Sequence, residues 1–170
     1  MITTTFTAEE IARRVAALGA ELRRQAGDNE IFLLGVLKGA SVFLSDLMRA
    51  IDGRVSYGFI DVVRDESDTE VASATEIDYL NYFSIAGRNV YLLKDVVSTG
   101  IIENYLLTQL RQKQPASLQL VALLDRPALR SIEVATDFRA FEVADDVAFV
   151  GYGLESDGEF GNLPYIGRLE

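Results

Sequence analysis

NVYLLKDVVSTG, Asn89–Gly100, carries the strongest structural signal in this 170-residue chain. Most of its first nine residues are aliphatic or aromatic, and the run is too short for an independent helix. Such a run is typical of a strand that is buried on both faces inside a parallel sheet. Small residues at 98–100 then turn the chain, and the segment 101–112 is predicted to be a helix. The sequence therefore predicts a strand–turn–helix unit at the centre of the molecule.

A strand, a small-residue turn and a helix N-terminus together can form an anion-binding site. Backbone N–H groups and the positive end of the helix dipole point at the same place, and the hydroxyls of Ser98 and Thr99 add donors. Asp95 precedes the turn, where a carboxylate would meet the hydroxyl groups of a phosphate-bearing ligand. An ordinary strand-to-helix turn of a doubly wound sheet explains this stretch equally well, so both interpretations stay open.

The composition narrows the chemistry that the chain can perform. It has no cysteine and no histidine, which excludes disulfides, thiolate catalysis and the commonest transition-metal ligand. Any metal would be a hard cation held by oxygen atoms, which favours Mg²⁺ over Zn²⁺. The formal net charge of −10 argues against nucleic acid and anionic membranes as partners. Because the sequence shows neither a signal-peptide pattern nor an apolar run of membrane-spanning length, we expect a cytoplasmic location.

Strand and helix patterns alternate along the chain and predict one α/β domain over residues 1–170. A capping box at Thr7–Glu10 begins a helix that runs to about Gln25. The other predicted elements are strands at 31–37, 55–63, 77–83, 89–97 and 117–124, a helix at 41–51, and short extended pieces at 138–143 and 148–152. Residues 64–76 are polar without strong periodicity and are predicted to form a mobile loop.

Three further segments accompany the central stretch: LLGVLKGASVFLSDLMRAI near the N-terminus, LLDRP at Leu123–Pro127, and VGYGLESDGEFGNLPYIG at Val150–Gly167. Together with VYLLKDVVSTG, they resemble the type I phosphoribosyltransferases, and among these the hypoxanthine/guanine branch, in order and spacing. The central stretch is similar to the loop that binds phosphoribosyl pyrophosphate (PRPP) in that family. The resemblance implies an α/β fold with a mainly parallel central sheet, flanking helices and a small hood from the chain ends.

The resemblance also implies roles for individual residues. Those of the central stretch that would bind PRPP and its phosphate are Lys94, Asp95, Val96, Val97, Ser98, Thr99, Gly100 and Ile102. Within this set, Asp95 and Ser98 occupy the catalytic positions. Pyrophosphate would be bound by Lys38 and Gly39, in the turn after the strand predicted at 31–37. An active enzyme would use Mg²⁺, held by Asp95 and Glu155.

For the nucleobase, the resemblance implies a site made by Arg126, Phe149 and Val150. Arg126 stands in place of a lysine that bonds the exocyclic oxygen of the purine. An aromatic ring normally stacks on the purine at the position of Ala148, one residue before Phe149. Phe149 is therefore interpreted either as the stacking ring or as a core residue.

Several positions depart from the pattern of the family and indicate a degenerate active site. Lys94 replaces the first of two adjacent acidic residues, and Ser98 replaces the carboxylate that activates the base. Ile102 replaces a hydroxyl residue, and Gly161 replaces an arginine that contributes to pyrophosphate binding. Lys94 is interpreted either as an ammonium that stands partly where Mg²⁺ would bind or as a surface residue in a decayed site.

Two functions are consistent with these observations. The first is transfer of phosphoribosyl from PRPP to a 6-oxopurine, as in purine salvage, with weak activity. The second is a catalytically inactive relative that binds a nucleotide, PRPP or a protein partner in a regulatory role; an enzyme with an altered acceptor would share features of both. We expect a small anionic ligand such as PRPP, a purine nucleotide or pyrophosphate, and the resemblance implies a homo-oligomer.

Overall fold

A computed structural model of the protein describes residues 1–64, 74–79 and 83–170. The elements in these ranges are β1 (Ile2–Phe6), α1 (Ala8–Ala26), β2 (Ile31–Val36), α2 (Ser41–Arg49), β3 (Val55–Arg64), β4 (Ala74–Tyr79), β5 (Asn89–Val97), α3 (Ile101–Arg111), β6 (Ser117–Asp125), a 3₁₀ turn (Pro127–Leu129), β7 (Phe138–Glu142), β8 (Phe149–Val150) and β9 (Ile166–Leu169). Every helix within the same ranges is too short or too polar to cross a membrane.

The central sheet is mainly parallel, which confirms the predicted α/β fold. Its strands lie in the order β4-β3-β2-β5-β6-β7 in the described part of the chain. β4 runs antiparallel to β3, whereas the other neighbouring strands are parallel. β2 and β5 lie at the centre, where both faces of the sheet are covered, and this position explains their continuous apolar sequences.

The direction in which the chain winds across the sheet changes between β2 and β5. From β2 the chain passes through α2 to β3 on one side, and from β5 it passes through α3 to β6 on the other. In open α/β sheets, ligands bind in the crevice at the carboxyl ends of two such strands. The turn containing Lys38 and Gly39 and the turn Ser98–Gly100 therefore lie at the same edge of the sheet.

The chain ends form the small hood that the resemblance implies. β1, β9 and β8 make an antiparallel sheet in that order, in which Ile2 pairs with Leu169 and Phe149 pairs with Arg168. Neither β1 nor β9 was predicted as a strand from the local pattern of residues. The hood carries Phe149 to the edge of the crevice, so it contributes to the site as well as to the fold.

The hydrophobic core lies on both faces of the central sheet. One layer packs the sheet against α1 and α2, and the other packs it against α3. One face of α1, with residues at the 3.6-residue spacing of a helix, is fully buried and consists of Ile11, Val15, Leu18 and Leu22. The capping box at Thr7–Glu10 is also confirmed, since the Thr7 side chain accepts from the Glu10 amide and the Glu10 carboxylate accepts from the Thr7 amide.

Some predicted boundaries were wrong. The strand predicted at 77–83 is β4, Ala74–Tyr79, so residues 74–76 pair with β3 and do not belong to the predicted loop. Antiparallel pairing with the preceding strand, β3, overrides the polar local pattern there. The remainder of that predicted loop, residues 65–73, lies outside the described residues. The helices predicted to end at 51 and 112 end at Arg49 and Arg111.

Helices α1 and α2 approach each other closely at Gly19, in the middle of α1. A Cβ atom built on Gly19 would lie 2.7 Å from the carbonyl oxygen of Ala50, which follows the last residue of α2. Because the obstacle is backbone, one helix would have to shift to accept a side chain. α2 follows the turn of Lys38 and Gly39, so this contact helps to fix one wall of the crevice.

We expect Gly19→Ala to destabilise the protein although alanine is the better helix former. Helix propensity favours alanine by about 1 kcal/mol, whereas overpacking against backbone costs about 1–3 kcal/mol or more. Urea denaturation should therefore show a lower free energy of unfolding. Ala20→Gly, on the exposed side of the same helix, is a control that should lose about 1 kcal/mol through propensity alone. Higher stability of Gly19→Ala would show that the helices separate without cost.

Candidate functional site

A cavity of about 400 Å³ opens at the carboxyl ends of β2 and β5, a volume that suits a small molecule. Predicted site residues in its wall are Lys38, Gly39, Lys94, Asp95, Val96, Ile102, Phe149 and Glu155. The predicted residues that lie next to the wall rather than in it are Val97, Ser98, Thr99, Gly100, Arg126 and Val150. Most of the predicted set is therefore brought to one edge of the sheet.

The turn Ser98–Gly100 presents backbone N–H groups that have no acceptor in the described part of the chain. The Val97 carbonyl accepts a hydrogen bond from the Arg126 amide at 2.9 Å, and the Thr99 carbonyl accepts one from the Ser131 amide at 2.9 Å. The C=O and N–H of a trans peptide point in opposite directions, so the amides after these carbonyls face away from that segment. Among the residues that the structure describes, none accepts from the three amides of the turn.

Gly100 connects this turn to α3 in a conformation that favours glycine. Its φ of 83° and ψ of −2° lie in the left-handed region, where a side chain would be strained. α3 then begins at Ile101 with its N-terminus at the cavity, where the helix dipole and the free amides of the first turn favour negative charge. Ile102 lies in the cavity wall and provides no side-chain donor. Backbone groups thus carry the anion-binding potential of this corner.

Lys94 and Asp95 form an ion pair at the end of β5. The Lys94 side chain is only 11% exposed, and its Nζ contacts Oδ1 of Asp95. The same Oδ1 accepts a hydrogen bond from the Val96 amide at 2.8 Å. Gly39 packs directly on this carboxylate, because an added Cβ would lie 1.9 Å from Oδ2 of Asp95. Lys94 is therefore not a surface residue, and one of its two interpretations was wrong.

Two acidic residues near the cavity were missed by sequence reasoning. Asp61 lies in the cavity wall near the carboxyl end of β3. Glu103, in the first turn of α3, is only 4% exposed; burial raises the pKa of its carboxyl, and the Lys94 ammonium opposes that shift. The signal for Glu103 was its spacing, since it lies three, four and seven residues before the buried Leu106, Leu107 and Leu110.

Lys38 and Glu155 pair on the other side of the cavity. Their Nζ and Oε2 atoms lie 2.6 Å apart, and the Lys38 side chain is 74% exposed. The peptide bond before Lys38 is cis. Gly153 packs against the same turn, because a Cβ there would lie 2.9 Å from the Gly39 carbonyl oxygen. The segment between β8 and β9 thus contacts the turn after β2 through both a charge pair and a close backbone approach.

Arg126 and Phe149 lie together beside the cavity. The Arg126 guanidinium carbon is 5.1 Å from the centre of the Phe149 ring, and Nη2 donates to the Val147 carbonyl. Arg126 is only 9% exposed and holds this segment in place rather than extending into the cavity. Phe149 is both a core residue and part of the wall, whereas Val150 is fully buried in the hood. The roles of these residues toward a nucleobase stay predictions.

The acidic groups of the wall do not fit a Mg²⁺ ion bound by both Asp95 and Glu155. Each carboxylate is already paired with a lysine, Asp95 with Lys94 and Glu155 with Lys38. An ammonium group at such short range repels a divalent cation at the same carboxylate. Over residues 1–64, 74–79 and 83–170, no three acidic groups lie close enough together to hold a metal ion.

Comparison with known proteins shows similarity in both sequence and fold. The family model described as phosphoribosyl transferase domain matches residues 3–157. The chain is 37% identical over 163 residues to a hypoxanthine-guanine phosphoribosyltransferase of Bacillus subtilis, covering 95% of this chain and 89% of the relative. It is 35% identical over 175 residues to a protein of the same name from Mycobacterium avium, covering 97% and 84% of the two chains.

Solved structures agree with this similarity. A crystal structure of a hypoxanthine-guanine phosphoribosyltransferase from Bacillus anthracis superposes with a TM-score of 0.91 at 28% identity and covers 100% of both chains. A hypoxanthine phosphoribosyltransferase from Staphylococcus aureus gives a TM-score of 0.90 at 31% identity over 99% of this chain and 91% of that one. Sequence, topology and the turn after the central strand lead to one conclusion: the chain belongs to the type I phosphoribosyltransferase family, in its hypoxanthine/guanine branch.

Proposed function

We propose that this chain binds a phosphoribosyl ligand at the turn after β5 and transfers phosphoribosyl from PRPP to a 6-oxopurine only weakly. Its relatives carry the name hypoxanthine-guanine phosphoribosyltransferase. The observation that carries the proposal is the turn Ser98–Gly100, whose carbonyls are bonded to the protein while its amides have no acceptor among the residues that the structure describes. Such amides at a helix N-terminus bind phosphate without help from particular side chains.

Within the cavity, each part of a phosphoribosyl ligand has a neighbour of suitable chemistry. The 5′-phosphate would lie against the amides of the turn and the N-terminus of α3. Asp95 keeps lone pairs that can accept hydrogen bonds from the ribose hydroxyls. A purine would lie against the ring of Phe149, since aromatic faces stack well on bases. This arrangement supports binding more strongly than it supports chemistry.

The weak activity follows from groups that the site lacks. The Ser98 hydroxyl cannot accept a proton from a purine near neutral pH, and a positioned general base contributes about 10²–10⁴-fold to rate. Position 161 cannot supply a cation to the leaving pyrophosphate either, because Gly161 has no side chain. Glu155 fills the adjacent space, since a Cβ at Gly161 would lie 2.8 Å from its Cγ. Stabilisation of the leaving group would then depend on Lys38.

A second candidate function is a catalytically inactive relative that binds a nucleotide, PRPP or a protein partner in a regulatory role. The two lysine–carboxylate pairs favour this inactive function. In each pair, the charged groups that could act on a metal or on pyrophosphate are bound to each other instead. The backbone turn and the Phe149 ring are unaffected by these pairs. The two functions differ in one measurement: only the first forms a nucleotide from PRPP and a purine.

We also propose that the Lys94 ammonium takes the part that Mg²⁺ would otherwise play beside the sugar. It is buried, lies at a carboxylate that would face the ribose, and carries a positive charge there without a metal. Because Asp95 and Glu155 do not fit a shared Mg²⁺, the charge on the ligand would be met by Lys94, Lys38 and the amides of the turn.

The cytoplasmic location and the homo-oligomer stay predictions, and sedimentation analysis tests the oligomeric state.

Restoring a base at position 98 should raise the rate of transfer. We expect Ser98→Asp to increase formation of IMP or GMP from PRPP by at least about tenfold, the lower part of the range for a general base. Initial rates with hypoxanthine and with guanine measure this effect. Ser98→Asn is the matched control, since it has the same size as aspartate but no basicity. Adding Lys94→Glu in the presence of Mg²⁺ should raise the rate further.

Two results would contradict this account of the activity. Robust turnover by the unchanged protein would show that the site is not degenerate in function. Equal rates for Ser98→Asp and Ser98→Asn would show that a missing base is not what limits transfer.

Binding of PRPP should depend little on Mg²⁺. In titration calorimetry, we expect the Kd for PRPP in EDTA and in excess Mg²⁺ to differ by less than about threefold, because Lys94 already balances Asp95. Lys94→Met should weaken binding in EDTA by about tenfold, the value of one lost charge-assisted bond. Lys113→Met, at a lysine outside the cavity wall, should have no effect. Strong dependence of the unchanged protein on Mg²⁺ would overturn the role given to Lys94.

A further inference from the structure

Arg130 contacts the proposed phosphate-binding turn, Ser98–Gly100, and the end of the strand before it through one carbonyl group of each. Its side chain is 15% exposed, so it is largely shielded from water. Nη1 donates to the Val97 carbonyl at 3.0 Å and to the Ser98 carbonyl at 2.7 Å. It also donates to the Arg126 carbonyl at 3.2 Å. One guanidinium nitrogen therefore joins the end of β5, the turn and the segment after β6.

The other nitrogens of Arg130 fix the guanidinium in this place. Nη2 donates to Oγ1 of Thr136 at 3.0 Å and contacts the Asp125 carboxylate, whose side chain is 2% exposed. Nε donates to the Val134 carbonyl at 3.4 Å. Every guanidinium nitrogen has an acceptor, and the buried charge of Asp125 is balanced. Such a fully bonded arginine is rigid, because moving it would break several bonds at once.

We infer that Arg130 is a positioning residue that holds the amides of Ser98–Gly100 toward the phosphate. This inference rests on the proposed function, because it concerns the same anion. The Ser98 carbonyl accepts from Arg130, and in the described part of the chain it has no backbone donor. The N–H of Thr99 belongs to the same planar peptide and therefore faces the opposite way. By fixing the carbonyl, Arg130 fixes the direction of that amide.

Without the guanidinium, this peptide would lose the bond that sets its orientation. A shielded carbonyl without a partner is unfavourable, so the peptide would rotate toward water and turn the Thr99 amide away from the ligand. Lysine could not replace arginine here. Its single ammonium cannot reach the carbonyls of Val97 and Ser98 while also bonding Asp125 and Thr136, as the planar fork of arginine does.

The test compares two ligands that differ only in the phosphate, GMP and guanosine. The Kd of guanosine divided by the Kd of GMP, both from titration calorimetry, measures what the turn contributes to phosphate binding. We expect Arg130→Lys to lower this ratio at least about tenfold, as for the loss of one charge-assisted bond. In ¹⁵N NMR spectra, the shift of the Thr99 amide on addition of GMP should disappear in Arg130→Lys, whereas shifts near Phe149 should persist.

Arg139→Gln is the control for a general structural effect. Arg139 bonds the same Asp125 carboxylate at 2.9 Å but makes no bond to the turn, so its loss should leave the ratio unchanged. Thr136→Val is a milder second variant, because it removes one acceptor of Arg130 and keeps the charges. It should lower the ratio less than Arg130→Lys does, and it keeps the test usable if Arg130→Lys does not fold.

The outcomes separate this inference from the proposed function. An unchanged ratio in both Arg130→Lys and Thr136→Val, or an equal fall in Arg139→Gln, would overturn the positioning role. The role would be supported by a fall that occurs only where a contact of Arg130 is removed. If the unchanged protein bound GMP no more tightly than guanosine, the proposed function would fail, and the role of Arg130 with it.

Discussion

Hydrogen bonding of the backbone where β5 ends is the constraint on which the site depends. A strand that leaves a buried sheet must find partners for its carbonyl and amide groups. In this chain the carbonyls of Val97, Ser98 and Thr99 all bond to the segment that follows β6. The N–H groups of Ser98, Thr99 and Gly100 belong to the same peptides and therefore face away from that segment. The corner that we propose to bind an anion therefore arises from the way the protein satisfies its own carbonyls.

The same corner shows how an acidic protein can attract an anion. The formal net charge is −10, so no general electrostatic attraction to a phosphate exists. Locally, Lys94 balances Asp95 and Lys38 balances Glu155, which leaves each pair neutral. The favourable field around a phosphate would then come mainly from the amides of the turn and the N-terminus of α3, which act over a short distance, while Lys94 and Lys38 would meet the charge on the rest of the ligand. Such a site binds through close contact and contributes little to long-range steering.

The sequence predicted those features that depend on local pattern or on order along the chain. The strand pattern of Asn89–Val97 and the small residues after it predicted a strand-to-helix turn, and the structure has one there. The turn of Lys38 and Gly39 lies at the same edge of the sheet because β2 and β5 are neighbouring parallel strands, whose carboxyl ends must meet. Individual elements of the hood were not predictable in this way, since β1 and β9 pair with each other from opposite ends of the chain.

Contacts between side chains set the limit of that reasoning. The direction of the Arg126 guanidinium depends on the Val147 carbonyl, and the buried Lys94 ammonium is paired with the Asp95 carboxylate. Neither the direction of Arg126 nor the burial of Lys94 follows from a fixed spacing in the sequence. Glu103 shows how a local pattern and the usual behaviour of a residue type can disagree. Its spacing along α3 is that of a buried position, whereas a carboxylate in the first turn of a helix usually stays in water. Patterns predicted position along an element, whereas packing determined which partner each charge found.

The positions that differ from the family and those that agree with it fall into two physical classes. Lys94, Ser98, Ile102 and Gly161 are places where a side chain would act on the ligand. Gly39 and Gly100 are places where the absence of a side chain lets the backbone approach or turn, and both are kept. Phosphate binding by amides needs only the second class, whereas proton transfer and stabilisation of a leaving group need the first. If catalysis is weak, as we propose, binding can still persist in this fold, because the two rest on different atoms.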